Sequence, residues 1–145
     1  MIVNKKLQEY LTKLKENSGI TSATLITEDG LLIAADKESD NLEYTAHLSA
    51  IGAISASLIS MAERATMLIR DKKLDQIIIK GGKDGEEESI SLILTVIYEN
   101  IILLVLLPSK LNVGLVFFEI ENIIGEISDF MNTNKELKLN VKSIL

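Results

Sequence analysis

Apolar side chains recur at helical spacing from Val3 to Asn17 (Val3, Leu7, Tyr10, Leu11 and Leu14) among lysines and glutamates, which predicts an amphipathic helix with one buried stripe, stopped by Ser18-Gly19. Strands are expected at about 20–27 and 31–36, on either side of Glu28-Asp29-Gly30. Asp-Gly between two β-rich runs marks a hairpin, because glycine accepts the positive φ that the turn requires. After a polar loop, Lys37 to Asn41, a long helix runs from about Leu42 to Asp71. Leu74 to Gly82 reads as a strand around Ile77-Ile78-Ile79, and Gly81 to Gly85 as a loose turn. Ser89 to Tyr98 and Ile101 to Leu107 are two further strands, reversed at Glu99-Asn100. Asn112 is placed to cap a final helix reaching about Asn132. Its buried face is expected to carry Val113, Val116, Phe117, Ile120, Ile123, Ile124, Ile127 and Phe130, and its wet face Glu119, Glu121, Glu126 and Asp129.

The element order is therefore α-β-β-α-β-β-β-α. Hairpin-linked strands require a five-stranded, mainly antiparallel sheet, with one helix crossing over between the second and third strands. The run Ile101 to Leu107 is apolar at every position, so both its faces must be covered and helices must sit on both faces of the sheet. This is an α/β protein of the α+β type. No internal repeat or Pro/Gly/Ser linker suggests a second domain. Residues 1–132 are expected to form the domain and 133–145 a C-terminal tail, in which Leu137, Leu139 and Val141 alternate with Lys138, Asn140 and Lys142 as in a short strand.

The central helix has an unusual composition. Ser49, Ala53 and Ser57 form one i, i+4 row, and Gly52, Ala56 and Ser60 the next. Rows of small residues let a second backbone approach closely. From Tyr44 to Ala62 the helix carries no Asp, Glu, Lys or Arg, so nearly its whole circumference is suited to burial. A domain of this size can hardly bury it alone, and a contact between two copies is expected there.

Charge and composition narrow the functional classes. A net charge of -6 and a pI near 4.8 repel phosphate backbones and anionic membranes. Cysteine is absent, which removes disulfides, thiolate metal sites and a Cys nucleophile and fits a reducing, cytoplasmic setting. The start MIVNKKLQEY does not read as a signal peptide. Tyr44–Ala62 is interrupted by His47 and serines, and Ile90–Leu107 by Glu99-Asn100, so neither reads as a membrane span.

Catalytic chemistry finds little support. In GGKDGEEES (81–89) the Gly82-Lys83 pair is followed by Asp84 and leads into a strand, so it is not a phosphate-binding P-loop. Asp84, Glu86, Glu87 and Glu88 do not have the spacing of a calcium loop and read as a solvated hairpin tip. His47 is the single histidine, which leaves no His-pair metal site within one chain. A triad built with it would draw on Ser49 or Ser60, both on the helix expected to be buried, with no strand–turn–helix elbow to expose a nucleophile. Arg64 and Arg70 are the only arginines. Either could stabilise charge in a partner's nucleotide site, but surface pairing near the helix C-terminus is the plainer role. No cofactor and no metal site is expected.

Three segments, in this order, resemble the Roadblock/dynein light-chain family, which is related to longin domains. They are SGITSATLITEDGLLIAAD, the alanine- and serine-rich central helix, and LLVLLPSKLNVGLVFFEIENIIGEI, where a strand leads through Asn-apolar-Gly-apolar into the last helix. The resemblance covers about residues 3–131. It implies a homodimer in which central helices pair on one face of the sheet and third strands pair edge to edge, placing Ile77, Ile78 and Ile79 in the interface beside the small-residue rows. An unpaired Ile-rich edge would also invite aggregation. It further implies a protein that is not itself an enzyme but binds a Ras-like small GTPase and regulates its GTP hydrolysis or localisation. Glu63 and Arg64 on the central helix, and Lys138 and Lys142 in the tail, are candidate partner contacts. The alternatives are a small-molecule sensory domain and an adaptor whose partner is no GTPase.

Overall fold

The structure, a computed structural model, describes residues 5–36, 42–83, 85–98 and 100–134. Helix α1 (Lys5–Ser18) is followed by strands β1 (Ser22–Thr27) and β2 (Leu32–Ala35), helix α2 (Leu42–Arg70), strands β3 (Gln76–Gly81), β4 (Ile90–Ile97) and β5 (Ile101–Pro108), and helix α3 (Val113–Thr133). The five strands form one antiparallel sheet in the order β2-β1-β5-β4-β3. The expected order and architecture are therefore present.

The central position of β5 explains its unbroken apolar sequence. Ile101, Leu103, Val105 and Leu107 pack with α1 and α3 in the larger core, whereas Ile102 and Leu104 join Ile26, Ile59 and Leu94 in a smaller core under α2. α1 buries Leu7, Leu11 and Leu14, and its end is closed by Gly19 at φ +77°, whose N–H donates to the Lys15 carbonyl. α3 runs antiparallel to α1 on this face, with the Tyr10 and Phe130 rings edge to face at 5.9 Å and the Lys13 ammonium 3.0 Å from Glu126. The buried stripe of α3 is Val116, Ile120, Ile123, Ile127 and Met131. Val113, expected in that stripe, is 42% exposed, while Met131, outside the expected stripe, is buried. Val3 lies outside the described residues.

Asn112 caps α3 as its position suggested: it is extended, and its Oδ1 accepts from the Leu115 N–H at 3.3 Å. Asn112→Ala should lower stability by about 1 kcal/mol, read from the denaturation midpoint, because that amide then faces water or nothing.

β2 and β3 are parallel and form opposite edges of the sheet, so α2 must carry the chain across four strand spacings, about 19 Å. Its 29 residues, about 43 Å of helix, are enough. One buried carboxylate closes the other end of the β1–β2 pair. Asp36, 1% exposed, accepts the Ala23 N–H at 2.9 Å through Oδ2, while Oδ1 lies 3.6 Å from the Lys15 ammonium.

Candidate functional site

α2 is seated by a close backbone approach. It crosses the β1–β2 turn at Gly52, where an added Cβ would lie 2.8 Å from the Gly30 carbonyl oxygen. Gly30 has φ +86°, and its N–H donates to the Thr27 carbonyl, so the turn needs glycine both for its left-handed backbone and for room under the helix. The two small-residue rows consequently have different roles. Gly52 and Ala56, both expected in a contact between copies, face the chain's own sheet and are buried within the single chain. Ser49, Ala53, Ser57 and Ser60 are exposed.

The far side of α2 is apolar and bare. Ile54, Met61 and Leu68, spaced by seven residues, are 60, 59 and 87% exposed, and Met67 and Ile69 extend the patch at the helix end. Toward β3 the helix leaves part of the sheet uncovered. A cavity of about 270 Å³ opens there, lined by Ile51, Ile79, Gly81, Ile90, Leu92, Leu104 and Leu106. β3 is the last strand on that side, with Ile77 and Ile79 half-buried toward α2 and Ile78 49% exposed on the opposite face. Helix face, cavity and strand edge are contiguous, and together they form an apolar surface of the kind that monomeric proteins rarely expose.

On the other flank of α2 lies a groove of about 470 Å³. Ala56, Ile59, Leu74, Val96 and Ile102 supply its apolar lining, and Glu28, Asp29, Arg64 and Lys73 its charges. Two candidate partner residues meet here with different fates. Arg64 is exposed. The Glu63 carboxylate accepts the Leu74 N–H at 2.7 Å, tying the end of α2 to the start of β3, so its first role is structural. Lys138 and Lys142 lie outside the described residues.

The arrangement agrees with the comparisons. The family model of the Roadblock/LC7 domain matches residues 6–107. The chain belongs to the Roadblock/LC7 family. Among solved structures it is similar to MglB of Myxococcus xanthus, with a TM-score of 0.77 at 17% identity over 90% of this chain and 98% of that one. The gliding protein MglB of Thermus thermophilus gives a TM-score of 0.75 at 14% identity, covering 92 and 94% of the two chains. A Roadblock/LC7 domain from Streptomyces avermitilis gives 0.70 at 17%, covering 86 and 96%. No curated protein matches the sequence.

Within this Roadblock/LC7 domain the candidate chemical groups are scattered. Among the described residues no three of His, Asp and Glu are grouped to hold a metal ion. Glu86, Glu87 and Glu88 are exposed on the β3–β4 connection, where Gly82, Gly85 and Glu88 all have positive φ, and Asp84 lies outside the described residues. Ser49 and Ser60 are exposed rather than buried, because they sit off the stripe that α2 turns to the sheet, and among the described residues neither is hydrogen-bonded to the exposed His47. No described helix is long and apolar enough to cross a membrane. The sequence reading did not single out the exposed stripe of Ile54, Met61 and Leu68. Their heptad spacing was visible, but the all-round apolar character of the helix hid which stripe would remain outside.

Proposed function

We propose that the chain is a homodimeric Roadblock scaffold, without an active site of its own, that binds a Ras-like small GTPase and regulates its GTP hydrolysis or localisation. The observation that carries the reading is the continuous apolar surface formed by Ile54, Met61, the cavity beside Ile51 and the free edge of β3. A second copy related by a two-fold axis meets the same surface on itself, so β3 pairs with β3 and the paired helices cover each other's cavity. The exposed row Ser49, Ala53 and Ser57 permits close helix approach. Membership of the Roadblock/LC7 family supports the GTPase as partner, since members of this family commonly bind Ras-like GTPases. Arg64 and the bare C-terminal turns of α2 are the residues offered to it.

Ile54→Asp tests the assembly. Ile54 is exposed in the single chain, so the fold should survive, while dimer affinity measured by sedimentation should fall at least about tenfold, roughly 1.4 kcal/mol. An unchanged dimer contradicts the proposed interface. The partner is tested by capture of small GTPases of the same cell loaded with GTP or GDP. Capture that depends on the nucleotide supports the scaffold reading, and capture of neither form leaves an adaptor for some other protein.

A further inference from the structure

The groove on the flank of α2 shares no residue with the cavity assigned to the twin contact, and its charges are segregated along its length. One row of the sheet marks its course. Ile26 on β1 pairs with Ile102 on β5, Ile102 pairs with Val96 on β4, and the Val96 N–H donates to the carbonyl of Asp75, just before β3. The groove thus crosses the strands from the β1–β2 turn to the start of β3, three strand spacings or about 14 Å. Glu28 and Asp29 stand at the first end. At the second, the hydrogen bond from the Leu74 N–H to Glu63 brings their chain neighbours Lys73 and Arg64 together. Two bases against the Glu63 carboxylate leave this end net positive, opposite two acids at the other. Glu28, Asp29, Arg64 and Lys73 are all exposed, and among the described residues none of them has an ion-pair partner.

An occupant that satisfies both ends needs opposite charges about that far apart, with an apolar group between them. A free amino acid carries its charges on neighbouring atoms and reaches one end only. A volume of about 470 Å³ over that length leaves a width of about 6 Å, too narrow for a helix, which is about 10 Å across. An extended peptide advances about 3.3 Å per residue and turns alternate side chains to one side, so residues i, i+2 and i+4 face the groove together over about 13 Å. We propose that the groove docks an extended segment of another protein that carries a basic, an apolar and an acidic residue at alternate positions. The basic side chain meets Glu28 and Asp29, the apolar one rests on Val96 and Ile102, and the acidic one meets Arg64 and Lys73. The occupant is defined by its charges, so the inference does not rest on the partner being a GTPase. A bound segment covers Arg64 and competes with any other partner that uses it.

The test titrates the full chain against the fluorescein-labelled, amidated peptide AKTLTEA, with AETLTEA and AKTLTKA as controls, and reads anisotropy. AKTLTEA should bind at least about tenfold more tightly than either control, because each control sets a charge against its like at one end of the groove. Arg64→Glu combined with Lys73→Glu, both at exposed positions, should leave the circular dichroism unchanged and reverse the preference, so that AKTLTKA binds more tightly than AKTLTEA. Non-specific attraction to an acidic protein does not produce that reversal. Ser60→Phe, which fills the groove from an exposed position without altering its charge, should weaken AKTLTEA by a similar factor. Equal affinities for the three peptides, no saturation at millimolar peptide, or loss of peptide binding as the protein is concentrated, which gives the groove to a second copy, would each overturn the proposal. None of these readouts uses a GTPase, so failure here is separable from failure of the scaffold reading.

Discussion

Gly52→Leu is expected to unfold the domain rather than merely separate two copies. The first atom of the new side chain would lie 2.8 Å from the Gly30 carbonyl oxygen, inside contact distance, and that oxygen belongs to a turn whose backbone cannot yield. Gly30 already needs φ +86°, and a Cβ there would itself lie 3.0 Å from the Cα of Ala53. Relief requires lifting α2 from the sheet, which opens the small core of Ile26, Ile59, Leu94, Ile102 and Leu104. Overpacking costs typically about 1–3 kcal/mol, and a clash between two backbones belongs at the upper end or beyond, so a loss of about 3 kcal/mol or more is expected in chemical denaturation. Ala53→Leu, one position along on the exposed row, should leave the midpoint nearly unchanged and act on assembly alone. Equal stability of the two variants would show that α2 does not rest on the turn as described.

Asp36→Ala should be the second most damaging of the substitutions considered. The Asp36 carboxylate replaces a main-chain acceptor at the end of the β1–β2 ladder, taking the Ala23 N–H at 2.9 Å, and it balances the half-buried charge of Lys15. Truncation leaves the buried Ala23 amide without this acceptor. A hydrogen bond to a charged group contributes about 1.5–3 kcal/mol, and a loss of about 2–3 kcal/mol is expected, measured by urea unfolding. Asp36→Asn keeps an acceptor for Ala23 and should recover part of it. If Asp36→Ala were neutral, solvent would have to reach Ala23, which the burial of both residues opposes.

Much of the architecture was written in local patterns. Glu28-Asp29-Gly30 announced the first hairpin, Asn112 the start of α3, and the apolar run from Ile101 to Leu107 the central strand with both faces covered. What local pattern could not resolve was orientation. Gly52 and Ala53 are neighbours of similar size, yet one lies under the helix and the other outside, and the difference depends on Gly30, distant in sequence. Glu63 looked like a surface charge until Leu74 was seen to donate to it. The outward stripe of Ile54, Met61 and Leu68 was equally hidden, because a helix with few charges gives no polar side by which to orient it. Candidate surfaces, unlike catalytic motifs, acquire meaning only from what the fold leaves uncovered.

The strand order also bears on how the chain reaches this state. β1 pairs with β5, joining Thr24 to Leu104 across roughly 80 residues of sequence, whereas β1–β2 and the β3–β4–β5 meander close over short loops. The two local units can form early, but the middle of the sheet appears only when they meet, with the long crossover already in tow. Such topology makes the joining step slow, on the order of milliseconds to seconds, and until it occurs the central strand stands with an open side in water.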